Sequence, residues 1–170
     1  MRDKGALITL RDETPKDIDA LHDLSYRAFA PMTFSDNSEA DAIRTMRQTG
    51  NLTLSLIAEL QGHIVGHVAF SPVKIDEAFH DWYALGPISV EPDHQRQGIG
   101  RALIAFGLKR LRKLGANGCV LIGNPDFYAS SGFVADGRFS YGDLDARFIQ
   151  HIRFQGPLRN GALQFAPGLD

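Results

Sequence analysis

The stretch from Trp82 to Ile122 constrains the fold more than any other part of the chain. Trp82 to Val90 is an apolar run of strand length, broken by Gly86-Pro87. A polar loop follows. From Gly100 to Leu114, Leu103, Ile104, Leu108 and Leu111 recur at the spacing that places them on one face of a helix. Lys109, Arg110, Arg112 and Lys113 lie off that face and suit the helix's negative end. Cys119-Val120-Leu121-Ile122 is then a short apolar run without alternation, as expected of a central parallel strand covered on both faces. Strand, crossover helix and strand in this order make one right-handed βαβ unit. The fold class is therefore α/β, with a mixed sheet.

The flanking segments extend that sheet. Residues 6–11 read as a first strand. Thr14-Pro15-Lys16-Asp17 starts a helix, with Thr14 as cap and Pro15 at the first helical position, and Ile18, Leu21, Leu24 and Ala28 follow at helical spacing. Ser38-Glu39-Ala40-Asp41 opens a second helix that stops near Gly50. Leu52, Leu54, Leu56 and Ala58 then alternate as in a strand, Gln61-Gly62 turns, and Ile64 to Phe70 returns as a hairpin partner. Pro125 to Ser131 reads as a short helix and Phe148 to Phe154 as another strand. The expected order is β-α-α-β-β-β-α-β-α-β-β. The 170 residues contain no repeat and no linker, so residues 1–170 are read as one domain.

Composition excludes several functions. A formal charge of -2 argues against general affinity for nucleic acid or an anionic membrane. One cysteine, Cys119, rules out an internal disulfide and a thiolate zinc cluster, and suits a reducing compartment. The N-terminus leads into too short an apolar stretch for a signal peptide, and no run approaches the ~20 apolar residues of a membrane span. A cytoplasmic location is expected.

The chemistry-bearing segment is the loop Gln95-Arg96-Gln97-Gly98-Ile99-Gly100-Arg101 at the start of the long helix. There, backbone N–H groups lack partners and the helix dipole is positive, so phosphate oxygens are stabilised if the backbone can approach. Gly98 and Gly100 permit that approach, and Arg96 and Arg101 add charge. An ordinary strand–helix connection uses glycines too. A Walker loop is excluded because Arg101-Ala102 follows Gly100, and the dinucleotide pattern Gly-x-Gly-x-x-Gly is absent.

What is present is Gln-x-x-Gly-x-Gly, and this resembles the pyrophosphate loop of the GNAT superfamily of acetyl-CoA-dependent N-acetyltransferases. Ile122-Gly123-Asn124-Pro125-Asp126-Phe127-Tyr128-Ala129-Ser130-Ser131-Gly132-Phe133 is similar to the same family's fifth strand, fourth helix and closing Gly-Phe. Ala69 to Val73, Leu85 to Val90 and the tail Gly161 to Pro167 resemble its YhbS-like branch. The resemblance implies a single-domain GNAT fold: a mixed, mostly antiparallel sheet whose parallel central strands splay apart, flanked by helices. It also implies acetyl-CoA as cosubstrate, held by Ile88, Ser89 and Val90 along the pantetheine arm, by Gln95 to Arg101 at the pyrophosphate, and by Asn124. Pro87, which has no N–H to donate, and Gly86 supply a physical cause for the splay.

The implied reaction is direct attack of a small-molecule or peptide amine on the thioester in a ternary complex, by an acyltransferase that transfers groups other than aminoacyl groups. Tyr128 is the implied proton donor to the departing thiolate, with a packing role as its plain alternative. Asn124 has a helix cap as its plain alternative. The branch pattern Asp-Pro-x-Tyr-Tyr-x-Arg-Phe-Gly-Phe is altered here: Phe127 replaces the first tyrosine and Ala129-Ser130-Ser131 the larger residues before Gly132. A general base is not placed. Ala84 stands where some members carry a glutamate, leaving Glu91, Tyr83 and His67 as candidates. Cys119 lies in an apolar run and reads as core. His63 and His67, four residues apart along a strand, are separated by ~13 Å and do not form a metal site. The first two helices and a 71–82 loop, with Phe34, Phe79, Trp82 and Tyr83, are expected around the acceptor. A homodimer is compatible with such a domain. A non-catalytic acyl-CoA-binding sensor or docking module on the same fold is the competing function.

Overall fold

The computed structural model describes residues 7–31 and 38–170; Ala6 and Phe34 lie outside them. Among the described residues the order is β1 (Ile8–Asp12), α1 (Ile18–Phe29), α2 (Glu39–Gln48), β2 (Leu54–Leu60), β3 (His63–Ile75), β4 (Ala78–Val90), α3 (Ile99–Lys113), β5 (Gly118–Ile122), α4 (Pro125–Tyr128), β6 (Phe139–Ser140), β7 (Ile149–Arg153) and β8 (Gly161–Gln164). The sheet runs β1-β2-β3-β4-β5-β7, and β8 pairs with β3 and with β6. Among the described strands, only β4–β5 and β6–β8 are parallel pairs. No helix among the described residues is long and apolar enough to cross a membrane.

Two tight hairpins build the antiparallel half. Gln61-Gly62 joins β2 to β3 with φ of 53° and 79°, and Asp76-Glu77 joins β3 to β4 with φ of 49° and 69°. Positive φ at both central residues gives the turn twist that matches paired strands. The second hairpin corrects the sequence reading: residues 71–82 are strand ends and a two-residue turn, not a loop. Val73 and Ile75 are buried while Lys74 is exposed, so strand alternation holds there although Pro72 interrupts its composition.

The parallel centre is short. β4 pairs with β5 at three positions only, Trp82↔Gly118, Tyr83↔Cys119 and Ala84↔Val120. Beyond them β5 stays with β7, through Leu121↔Gln150 and Ile122↔Ile149, while β4 stays with β3. The strands therefore diverge, and Leu85 to Val90 present one edge that no strand among the described residues covers. On the β3 side the register shifts between Val68↔Ile88 and Phe70↔Leu85, a bulge that holds the cis Gly86-Pro87 bond. Pro87 cannot donate to a ladder, so this is where a bulge costs least.

Helix α3 lies over the sheet with Leu103, Ile104, Leu108 and Leu111 buried against Leu54, Leu56, Val68 and Phe70. A Cβ at Gly107 would collide with the Phe70 ring. A second cluster gathers around Trp82 with Phe139, Ile149 and Phe165. At the chain's start, Arg11 on β1 grips Asp17 through Nη1 and Nη2 at 2.8 and 3.0 Å and also reaches Glu59 on β2. Thr14 takes the cap position expected of it, ahead of a 3-10 turn with Pro15 at its first position, in a capping box with Asp17. Its hydroxyl and its N–H both donate to Asp17 Oδ2, at 2.9 and 2.7 Å, and Pro15 to Asp17 form a 3-10 turn ahead of α1.

The Arg11 guanidinium holds the Asp17 carboxyl well below the usual carboxylate range, outweighing desolvation. A pKa lower in the folded than in the unfolded chain means that ionised Asp17 stabilises the fold fully above about pH 4, and that this contribution is lost as pH falls towards the folded value. Asp17→Asn is expected to cost about 2 kcal/mol at pH 7. In urea denaturation the gap between wild type and variant should narrow steadily below pH 4; a gap independent of pH would contradict this assignment.

Candidate active site

The loop after β4 is shaped by two backbone conformations that ordinary residues avoid. Pro92 to His94 make a 3-10 turn, and Gln95 returns so that Nε2 donates to the Val90 carbonyl at 3.1 Å. Arg96 has φ 64° and Gly98, at the N-cap of α3, has φ 88°. No atom lies within 4 Å of where a Gly98 Cβ would be, so glycine is needed for its φ and for an open approach. The first intrahelical bond runs from the Ala102 N–H to the Gly98 carbonyl at 3.0 Å. The N–H groups of Ile99, Gly100 and Arg101 precede it and lack helical acceptors.

These groups border a cleft of about 500 Å³. Ile88, Val90, Gln95, Arg96, Gly98, Ile99, Gly100 and Arg101 line it, as the sequence reading placed them together. The Ile99 side chain is buried in the core, so Ile99 offers the cleft its backbone. Three expected residues stand apart. Gln97 is exposed and forms no wall. Ser89 buries its side chain and lies across the ladder from His67. Asn124 caps α4, its Oδ1 accepting from the Asp126 N–H at 2.9 Å. Phe127, which the sequence reading treated only as a replaced tyrosine, is a wall of this cleft; a Gly100 Cβ would stand 3.3 Å from its ring.

A second cleft of about 360 Å³ shares Ile88 with the first. Its floor is the uncovered edge of β4, Leu85 to Ile88, and Ile122 and Tyr128 face it from the β5 side of the divergence. Phe29 of α1, Glu39 of α2, and Phe165 and Leu169 of the C-terminal tail complete it. The Tyr128 ring packs edge-on against Phe127 at 4.8 Å and Phe133 at 6.1 Å. A Gly123 Cβ would fall 2.6 Å from Tyr128 Cε2, so only glycine leaves room for the ring there. Burial pushes the phenol up to about 12, so at neutral pH it is a proton carrier and not a phenolate.

The candidate bases lie elsewhere. Glu91 is paired with Arg27 through two bonds of 3.1 and 2.8 Å, which lowers its pKa and ties α1 to the loop. His67 is fully buried, with Nε2 2.7 Å from Ser55 Oγ; Ser55 in turn donates to Glu13 at 2.6 Å, and Arg47 holds Glu13. Burial lowers His67 to about 4. It is a neutral structural group. Tyr83 packs edge-on with Phe79 at 5.6 Å. None of these three lines the cleft that holds Tyr128. Nor do Phe79 and Trp82, which corrects their expected place around the acceptor: Trp82 is wholly buried beside Phe139. Burial pushes the Cys119 thiol up, and it remains core.

Comparison with known proteins follows the geometry. Residues 18–133 match the family described as the acetyltransferase (GNAT) family. The chain is 33% identical over 125 residues to an uncharacterized N-acetyltransferase, YhbS, of Escherichia coli strain K12, spanning 73% of this chain and 72% of that one. A crystal structure of a GNAT family acetyltransferase from Brucella melitensis in complex with acetyl-CoA superposes with a TM-score of 0.87 at 36% identity, covering 96% of this chain and 99% of that one. The structure of Escherichia coli YhbS in complex with CoA gives a TM-score of 0.88 at 26% identity, covering 99% and 95%.

The Tyr128 hydroxyl bonds to no described residue, so its removal should leave stability intact. Tyr128→Phe is expected to keep its urea midpoint, with a change below about 0.5 kcal/mol. A loss of about 1 kcal/mol or more would mean that the hydroxyl supports the fold.

Proposed function

The chain belongs to the acetyltransferase (GNAT) family, and from that premise we propose that it transfers an acetyl group from acetyl-CoA to a primary amine of a small molecule or peptide in a ternary complex. The observation that carries this reading is the uncovered edge of β4, which runs from the open N-terminus of α3 to Tyr128. The fit to acetyl-CoA is chemical. Diphosphate suits the free N–H groups of Ile99, Gly100 and Arg101, with Arg96 and Arg101 adding charge. An arm bearing amide groups suits the side of Ile88 to Val90 that faces away from β3, where the backbone N–H groups of Ile88 and Val90 point while Ser89 turns to its partner His67. The relatives in complex with acetyl-CoA and CoA support the same assignment.

When bound, acetyl-CoA supplies an acyl group activated as a thioester. The chain's own contribution at the reacting end is small and specific. Backbone N–H groups on the uncovered edge are available to the thioester oxygen as charge grows there, a contribution of ~3 kcal/mol. Tyr128 supplies an O–H to the departing sulfur. A phenol near 12 does not readily give its proton to a thiolate whose conjugate acid ionises near 8.5. Tyr128 therefore acts as a hydrogen-bond donor that stabilises the leaving thiolate, and the proton that finally rests on sulfur is one the amine has lost. Cys119, buried with its pKa raised, forms no acyl-enzyme.

Calorimetric titration tests the reading. Wild type should bind acetyl-CoA at micromolar concentration, and Gly98→Glu, which brings bulk and negative charge to the cradle, should weaken binding by roughly 100-fold or more. Tyr128→Phe should bind as wild type does but lose about 100-fold in kcat. Wild-type binding without turnover of any amine would leave a sensor, and no binding would remove the basis of the reading.

A further inference from the structure

Tyr128 is aimed by packing, since no hydrogen bond from a described residue holds its hydroxyl. The helix that carries it is a single turn, Pro125–Tyr128. Within it the Phe127 and Tyr128 N–H groups both donate to the Asn124 carbonyl, at 3.1 and 3.4 Å. One turn gains few hydrogen bonds for the dihedrals it fixes, so its side chains must anchor it. The Phe127 and Tyr128 rings meet edge-on, with centroids 4.8 Å apart and planes at 88°. Phe133 stands farther from Tyr128, at 6.1 Å.

Phe127 also reaches α3. The position that a Gly100 Cβ would take lies 3.3 Å from Phe127 Cζ, 3.8 Å from Val90 Cγ2 and 3.9 Å from Ile88 Cδ1. The tip of the ring therefore meets the first turn of α3 beside the open N–H groups. The other contact of the same ring is Tyr128. Phe127 is thus the side chain that links the wall of the first cleft to the phenol of the second.

We propose that Phe127 is a positioning residue: set between Gly100 and Tyr128, it fixes the place of the phenol relative to the N-terminus of α3. The proposal rests on the acetyl-transfer reading above and adds to it the residue that aims its hydrogen-bond donor. An extended arm between diphosphate and sulfur has a set reach, so a donor serves the sulfur only if its distance from the cradle is set as well. A hydrogen bond weakens steeply off its axis, and a misplacement of ~1 Å can cost on the order of 100-fold. An edge-on pair of rings imposes a geometry that an aliphatic side chain of similar bulk does not. A phenylalanine that only filled space would be replaceable by leucine without consequence at the sulfur.

The test reads the thiol of CoA bound to the full-length protein, and so requires no acceptor. A donor at sulfur favours the thiolate, whose ultraviolet absorbance is measured as a difference against desulfo-CoA. At neutral pH the thiolate fraction should be about tenfold greater on wild type than in free CoA. Tyr128→Phe should remove most of that gain. Phe127→Leu should reduce it about threefold or more, while calorimetric affinity for CoA stays within about threefold of wild type. Phe127→Tyr, which keeps the ring, should retain the gain. The double variant Phe127→Leu/Tyr128→Phe should match Tyr128→Phe alone, because Phe127 acts through Tyr128. A wild-type thiolate fraction in Phe127→Leu would overturn the proposal, as would a further loss in the double variant. An effect on CoA affinity alone would overturn it too, leaving Phe127 a wall of the cleft and nothing more. A gain that survives Tyr128→Phe would overturn the donor assignment and this inference with it. Failure to bind CoA would remove the transfer reading altogether.

Discussion

The parting of β4 from β5 after Ala84 and Val120 is the constraint on which the rest of this structure depends. A strand edge left open inside a sheet carries N–H and C=O groups that need partners. Here the opening is built in from both sides. β5 is held by its antiparallel ladder to β7, and β4 by its ladder to β3, with the Gly86-Pro87 bulge at the point of divergence. The apolar weight of the two clusters keeps both halves in place, so the gap does not close by sliding. What remains is one edge of β4 that no described strand covers, with a cleft at each end.

The two ends of that edge do different electrostatic work. At one end α3 offers unpaired amides and a positive dipole, with Gly98 and Gly100 keeping the approach clear. At the other, burial by Phe127, Phe133 and the Gly123 turn keeps Tyr128 protonated and its hydroxyl unspent. The ion pair between Arg27 and Glu91 joins the helix that walls the second cleft to the loop that walls the first. The two clefts that meet at Ile88 are thus both consequences of one broken ladder. The ionisable groups that look catalytic by type, His67, Glu91 and Cys119, are committed to burial or pairing and hold the frame.

Much of this was legible in the residues because it is local. The glycine loop, the amphipathic face of α3 and the Gln61-Gly62 turn each follow from short-range sterics and periodicity. That Gln95, Arg96 and Gly98 to Arg101 gather at one cleft follows from the same logic, since a strand–loop–helix connection brings its loop to the helix N-terminus, where N–H groups lack partners. The errors arose where long-range contacts decide. Residues 71–82 read as a loop because Pro72 and the charged turn mask a two-residue alternation that only β4 and β8 complete. β6 has two residues and no period to detect. Of the residues that the resemblance placed at the cofactor, Gln97 is exposed, Asn124 takes the helix-cap position that was its plain alternative, and Ser89, expected to contribute backbone only, buries its side chain. Phe127 carries no local signal that it walls a cleft; its place there is set by the packing of α4 beside Gly100.

Residue-resolved amide hydrogen exchange, with and without acetyl-CoA, tests the central claim most directly. Within β4, amides of the half paired on both sides, Trp82 to Ala84, should be protected in either state. Between Leu85 and Val90, the amides turned away from β3 should exchange freely in the unliganded protein and become protected with acetyl-CoA, together with Ile99, Gly100 and Arg101. Protection of that edge before any ligand is added, or exchange that acetyl-CoA leaves unchanged, would contradict the account.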